Sequence, residues 1–131
     1  MTIKTILAAA CLTLLAVPAT AAPEDEIAKA LAGRTAGTPV DCLEQYQIDT
    51  TQIIPGTAIL YKMRDGTIYL NRPESGAAFL HRDYALVTDT HSDRLCRVDI
   101  VRLLDTVSRF ETGSLGLGQF VPYARPPRVS R

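Results

Sequence analysis

The side chains that could do nucleophilic or acid–base chemistry are few and scattered along the chain. The sequence has two histidines, His81 and His91, and Ser92 is the serine that adjoins one of them. Adjacent residues of an extended chain point in opposite directions, so Ser92 and His91 do not form a nucleophile–base pair on sequence grounds. Folding could still assemble such a site. A small hydrolytic or lyase-type enzyme is therefore the alternative function, with no catalytic residue named.

Charged side chains on or beside the predicted strands are the candidates for a binding site. Arg72, Arg82, Arg94 and Arg97 could hold an anion if the sheet brings them together. Asp99 is predicted to lie in mid-strand, two residues from Arg97, where it would form a cross-strand ion pair or take part in acid–base chemistry. The candidate binding residues are Arg72, Arg82, Arg97 and Asp99.

The cysteines predict a disulfide rather than a metal site. Once the N-terminal segment discussed next is removed, Cys42 and Cys96 remain, and no C-x-x-C motif is present. With His81 and His91 they do not have the spacing of a zinc finger. An even pair of cysteines in an exported protein predicts a Cys42–Cys96 disulfide. No metal and no cofactor are expected.

The first 21 residues have the pattern of a secretory signal peptide. Lys4 precedes an apolar run at residues 6–17, and Pro18 ends that run before the small residues Ala19, Thr20 and Ala21. The run is shorter than the roughly 20 apolar residues that a membrane span needs. We predict cleavage after Ala21, a single domain over residues 22–124 and a disordered basic tail over residues 125–131. No transmembrane segment is expected in the mature chain.

Composition and charge exclude several classes of protein. The chain has 131 residues, of which 47% are hydrophobic and 21% charged, as in an ordinary globular domain. It carries 14 basic and 14 acidic residues. Cleavage would remove Lys4 and no acid, which gives a net charge of −1. A strongly basic nucleic-acid-binding protein is therefore excluded.

One short helix and one hairpin are the clearest local predictions. Pro23 and the acidic residues that follow it favour a helix over residues 23–31. Asp65-Gly66 lies between two β-rich runs in residues 57–71 and predicts a two-residue turn, which pairs residue 63 with 68 and residue 61 with 70. In that register one face of the hairpin carries Ile59, Tyr61, Met63, Ile68 and Leu70.

Further strands are predicted at residues 41–48, 84–88 and 95–104, with a final edge strand at 119–123 that Pro122 ends. Short strands with frequent turns indicate a mainly β fold: a small antiparallel sheet curled into a barrel or sandwich, with one short N-terminal helix.

Five segments resemble those of small exported proteobacterial proteins of unknown function. They are GTPVDCL at 37–43, GTAILY at 56–61, YLNRP at 69–73, LCRVD at 95–99 and GLGQFVPY at 116–123. They occur in this order over residues 30–125. The resemblance implies a periplasmic address and a paired cysteine, and it implies no activity.

The sequence as a whole predicts a small periplasmic or secreted domain that acts as a binding, accessory or envelope-associated module. Catalysis is not expected. The expected partner is a periplasmic or envelope protein and not a nucleic acid.

Overall fold

The computed structural model describes residues 21–129, which form one α-helix, ten strands and two 3-10 turns. The predicted signal peptide lies, apart from Ala21, outside the described residues. The helix and strands are α1 (Pro23–Ala30), β1 (Thr35–Ala36), β2 (Cys42–Glu44), β3 (Ile48–Ile54), β4 (Ala58–Met63), β5 (Ile68–Asn71), β6 (Tyr84–Thr88), β7 (Arg94–Cys96), β8 (Ile100–Asp105), β9 (Glu111–Gly116) and β10 (Phe120–Ala124). The 3-10 turns are Gln45–Gln47 and Ala77–Phe79.

The strands form three antiparallel sheets that do not close into a barrel. The largest has the order β1-β10-β5-β4-β3, the second has the order β6-β8-β9, and β2 pairs with β7 in a short ribbon. The predicted mainly β fold with one short N-terminal helix is confirmed, and the architecture is that of a sandwich.

Apolar residues cover both faces of the five-stranded sheet. The main core lies between the sheets and includes Tyr61 and Phe120 from the larger sheet and Leu103 from the smaller one. A second apolar cluster lies on the other face of the larger sheet, where Ile27 of α1 packs on Ile54, Ala58, Leu60, Ile68 and Leu70. Strand β4, which lies between β5 and β3, is therefore buried on both sides except at Lys62.

The predicted hairpin register is wrong by one residue. Tyr61 pairs with Tyr69, and Leu60 pairs with Leu70. The turn is a three-residue loop, in which the Met63 carbonyl accepts the Gly66 N–H at 2.9 Å and Gly66 has φ of 89°. This is a type I turn followed by a left-handed glycine. Ile68 and Leu70 therefore face the helix side, away from Tyr61.

The predicted helix and the strand at 84–88 are confirmed, with Leu31 as the residue that caps α1. The first turn of α1 is acidic. Its Glu24 pairs with Arg72 at 2.9 Å, and its Glu26 pairs with Arg82. Arg72 follows β5 and Arg82 precedes β6, so the ion pairs join the helix to segments beside both sheets, while Ile27 packs on the larger sheet.

The predicted strands at 41–48 and 95–104 are each interrupted. The first breaks into β2, a 3-10 turn and the start of β3, and the second turns at residues 97–99 between β7 and β8. Cys42 and Cys96 lie directly opposite each other on β2 and β7, and they form the predicted disulfide. The prediction that Asp99 lies in mid-strand is wrong. Asp99 belongs to the turn, where its carboxylate accepts the Cys96 N–H at 2.7 Å.

The predicted role of β10 as an edge strand that ends at Pro122 is also wrong. β10 continues to Ala124 and lies between β5 and β1. The Pro122 carbonyl accepts the Gly37 N–H at 2.7 Å, so the backbone of Pro122 points toward the side of β1 and away from β5. The missing N–H of proline is tolerated on that side.

Residues 125–129 form neither helix nor strand, and the Arg125 side chain lies against Gly66. Among residues 21–129, no helix has the length and apolar character that crossing a membrane would require.

Candidate functional site

An opening lies along one side of the sandwich, where β3 and β6, the edge strands of the two sheets, face each other. The larger part of this opening has a volume of about 420 Å³. A smaller part, of about 260 Å³, continues past Thr51 and Leu86 toward Arg82. We call the two parts together the β3–β6 groove. The larger part is lined by Gln45, Ile48, Thr51, Tyr61, Leu86, Thr88, Asp89, Thr90 and Leu95.

Tyr61 forms the inner wall of the groove. The residue is 3% exposed, and its ring packs edge-on against Phe120 with 5.6 Å between ring centroids. Its hydroxyl makes no hydrogen bond within the described residues. Every fully buried side-chain polar atom in those residues has a hydrogen-bond partner, so this hydroxyl is not fully buried. The hydroxyl must therefore reach the groove surface. Burial raises the pKa of Tyr61 above its usual value, so the group stays protonated and can both donate and accept.

Other polar groups surround the same space. The Gln45 side-chain amide donates to the Thr90 hydroxyl at 2.9 Å, which leaves the Gln45 carbonyl oxygen as an acceptor. Thr51 on β3 and Thr88 on β6 add hydroxyls from the two edges, and Asp89 places a carboxylate at one end.

The remaining wall of the groove is apolar, formed by Ile48, Leu86 and Leu95. Three aliphatic side chains beside six residues with polar groups make the lining more polar than apolar. Among the described residues, no histidine, lysine or cysteine lines the larger part of the groove, and Asp89 is the one carboxylate in its lining. The arrangement is suited to binding a ligand that is part apolar and part hydrogen-bonding.

The structure brings two of the four arginines together, and of the other two Arg94 pairs with Glu44 at 3.2 Å. Arg72 and Arg97 line one cleft of about 410 Å³ with Glu74. Arg72 makes two hydrogen bonds of 2.9 Å to Glu24, which raise the pKa of Arg72 and lower that of Glu24. Arg97 lies 4.0 Å from the Glu74 carboxylate.

A further contact of Arg97, 3.6 Å to Asp41, means that carboxylates surround both arginines of that cleft. Arg82 lies outside it, at the narrow end of the β3–β6 groove, with Glu26 as its partner.

Asp99 and His91 lie in a third region, whereas the His81 ring packs against Tyr84 with 4.9 Å between ring centroids. A hollow of about 390 Å³ is lined by Asp89, His91, Asp99 and Arg102, with Val98 and Ile100. The Asp99 carboxylate is bound to the Cys96 N–H, and no serine, threonine or cysteine lines the hollow. His91 and His81 are both exposed.

The Ser92 hydroxyl bonds to the backbone of Arg94 rather than to His91. Within residues 21–129, no group of three or more His, Cys, Asp or Glu side chains is placed to hold a metal ion.

Sequence reasoning did not find the β3–β6 groove. Tyr61 was expected in the core, and Leu86 and Thr88 were expected only in a strand. No local motif marks these residues, because the groove exists only where two strands distant in sequence end up as facing edges. One sequence feature indicates an unprotected sheet edge. The segment Tyr84–Thr88 contains no charged residue, proline or glycine of the kind that prevents pairing at an edge strand.

Comparison of the chain with known protein families, with curated proteins and with solved structures gave no match.

Proposed function

We propose that this protein is an exported module that acts by binding rather than by catalysis, and that it holds its ligand in the β3–β6 groove. The proposal joins two independent lines of support. The sequence supports export, and the geometry of the groove supports binding.

The Tyr61 hydroxyl is the observation that carries the binding site. It lies at the end of a ring that is almost fully buried, and it has no partner in residues 21–129. A buried hydroxyl left without a hydrogen bond costs about 1–3 kcal/mol. A ligand that excludes water from the groove must therefore bond to this hydroxyl, which gives the site a specific requirement for a polar group.

A periplasmic or secreted location is supported by the predicted signal peptide at residues 1–21 and by the Cys42–Cys96 disulfide. Disulfides persist in oxidising compartments and are rare in the reducing cytoplasm. The resemblance to small exported proteobacterial proteins supports the same address, and it supports a periplasmic or envelope protein as the partner. Osmotic-shock fractionation and N-terminal sequencing test this proposal. The expected result is a periplasmic chain that begins at Ala22.

Fragment mapping tests the groove without knowledge of the natural ligand. Isotope-labelled mature chain is titrated with N-methylacetamide, which mimics a peptide bond, and separately with isobutanol. We expect both probes to shift the backbone amide signals of Thr51, Leu86 and Thr88. Probes that collect instead in the cleft of Arg72 and Arg97 would contradict the proposed site.

A single-atom change makes the test specific. Tyr61→Phe removes the hydroxyl and keeps the ring, so it should weaken the response to N-methylacetamide and leave the apolar contacts intact. Tyr123→Phe is the matched control, because Tyr123 lines the other cleft. Equal responses from wild type and Tyr61→Phe would show that the hydroxyl does not select the ligand.

A further inference from the structure

The sheets of this protein differ in how their edges are protected. β1 has two residues, and β2 and β7 have three each. β3 carries a bulge between Ile48 and Thr50 and exposes the charged Asp49. β9 carries a bulge where it pairs with β8. The segment before β6 covers the outer edge of β9 through the Ser75–Gly116 bridge. Short length, bulges, charges and covering segments are the usual devices that prevent unwanted strand pairing.

Between its two ends, β6 has none of these protections. It is five residues long, pairs with β8 in an unbroken register, and consists of Tyr84, Ala85, Leu86, Val87 and Thr88. Four of these residues are partly exposed although three of the four are aliphatic. A regular, uncharged and accessible edge is a template for another strand.

The backbone of β6 presents free hydrogen-bonding groups along its outer side. Thr106 donates to the Asp83 carbonyl at 3.4 Å, which shows that the backbone of Asp83 points toward β8. Backbone direction alternates along an antiparallel strand, so residues 85 and 87 also point toward β8 and residues 84, 86 and 88 point away from it. The Tyr84 N–H is satisfied by the His81 carbonyl at 3.2 Å. Leu86 and Thr88 therefore each offer one N–H and one carbonyl outward.

The side chains next to this edge favour one kind of occupant. Asp83 and Asp89 flank β6, both are exposed, and neither forms an ion pair within the described residues. Of the arginines near these ends, Arg82 is paired with Glu26, and Arg102, which shares a hollow with Asp89, is paired with Glu111 at 3.2 Å. The edge is therefore uncharged in its centre and negative at both ends. A strand with basic residues at its two ends is complementary to it.

The same charges oppose a second copy of this chain as the occupant. If two β6 strands paired about a two-fold axis at Leu86, Asp83 of each copy would lie opposite Asp89 of the other. Like charges directly opposite across a strand pair are destabilising.

From these observations we infer that the ligand is an extended segment of another polypeptide, which adds to β6 as a fourth strand of the smaller sheet. The inference rests on the proposed function, because the inward side chains of the added strand would occupy the β3–β6 groove. Its backbone would pair with Leu86 and Thr88. A hydroxyl-bearing side chain at its centre would reach Tyr61, and a Lys or Arg at each end would lie near Asp83 and Asp89.

A designed peptide tests the inference directly. The probe is acetyl-Lys-Val-Ser-Thr-Ser-Val-Lys-amide, in which every second residue, including the central Thr, belongs to the inward face. Its affinity for the oxidised mature chain is measured by calorimetry. We expect saturable binding with one peptide per chain. Absence of saturable binding to the wild-type chain would overturn the inference.

A matched pair of variants tests whether the backbone edge is used. Thr88→Pro removes an outward N–H that β8 does not use, and proline is tolerated at such positions. Thr88→Ala alters the side chain and keeps the N–H. We expect Thr88→Pro to bind up to about tenfold more weakly than Thr88→Ala, since the loss of one hydrogen bond changes affinity by up to about that factor. Thr88→Ala loses the same groove hydroxyl as Thr88→Pro and keeps the N–H, so it is the reference against which the loss in Thr88→Pro is measured.

N-methylation of the peptide provides a version of this test that leaves the protein unchanged. Methyl groups on alternate backbone nitrogens block one edge of the peptide and leave the other edge free. One of the two methylation patterns should abolish binding and the other should preserve it. If both patterns bind equally, the peptide does not pair as a strand and the inference is overturned.

Charge variants test the complementarity at the two ends. The double variant with Asp83→Asn and Asp89→Asn should weaken binding and reduce its dependence on salt. Asp65→Asn, in the turn between β4 and β5 and outside the lining of the groove and of the hollow, is the control and should bind as wild type does. Unchanged affinity in the double variant would overturn the predicted basic ends of the ligand.

The failure of this inference can be distinguished from failure of the proposed function. If fragments occupy the groove and depend on Tyr61 but Thr88→Pro binds the peptide normally, the groove is the site and strand addition is wrong. If the chain instead forms a dimer that Thr88→Pro disrupts, the occupant is a second copy and this inference is overturned.

Discussion

Removal of the disulfide should cost this domain a large part of its stability. Cys42 and Cys96 are 54 residues apart in sequence. The loop-closure entropy that such a link removes from the unfolded chain corresponds to about 4 kcal/mol. A domain of this size has a total unfolding free energy of only about 5–15 kcal/mol. The double variant with Cys42→Ala and Cys96→Ala should therefore unfold at a melting temperature roughly 20 °C lower.

The assay is equilibrium denaturation of the mature wild-type chain and the double variant, each with and without a reducing agent. Reduction should lower the unfolding free energy of the wild type by about 4 kcal/mol, and it should not change the double variant. A decrease in unfolding free energy below about 1 kcal/mol would contradict the loop-closure estimate. Contacts of the β2–β7 ribbon with neighbouring elements, and not the disulfide, would then hold the ribbon in place.

Three further results are expected. Tyr61→Ala should destabilise the domain by about 3–5 kcal/mol and by more than Tyr69→Ala, because Tyr61 is buried and Tyr69 is partly exposed; equal melting temperatures would contradict the assigned packing. Arg72 lowers the pKa of the Glu24 carboxyl, so the ion pair stabilises the fold above the ordinary pKa of 4.5 and loses this effect as pH falls through the lowered folded value. Glu24→Gln should therefore reduce the acid-dependent loss of stability, and an unchanged pH profile would contradict this assignment. A chain that ends at Ala124 should fold with nearly the wild-type melting temperature in a thermal scan, and a large decrease would show that the tail supports the sheet.

The hairpin at β4 and β5 shows what the sequence could predict and what it could not. Asp65-Gly66 correctly marked a turn, but the same dipeptide fits a two-residue loop and the end of a three-residue loop. If apolar residues covered only one face of the hairpin, their positions would show which of the two loops forms. Since α1 covers the second face, Leu60, Ile68 and Leu70 are buried as well, and the pattern fits either register.

The break between β7 and β8 was hidden for a related reason. Alternating apolar residues continue through the turn at 97–99, yet Val98 is 82% exposed and Ile100 is 63% exposed. An apolar residue on the surface is common, so alternation alone does not prove a continuous strand. The Asp99 carboxylate, which accepts the Cys96 N–H, is what shapes the turn.

The candidate site was the least predictable part, because it depends on which strands are edges. The segment of β6 was correctly predicted as a strand. Its free backbone groups follow only from the sheet order, which places β6 beside β8 alone. In the same way, the burial of Tyr61 was expected from its pattern, but the unpaired hydroxyl is visible only in the folded chain.

The most direct test of the binding account is chemical-shift mapping of the probe peptide on the labelled mature chain. We expect the largest changes at the backbone amides of Leu86 and Thr88, with changes at Thr51 across the groove. Changes centred instead on Arg72 and Arg97, with none along β6, would contradict it.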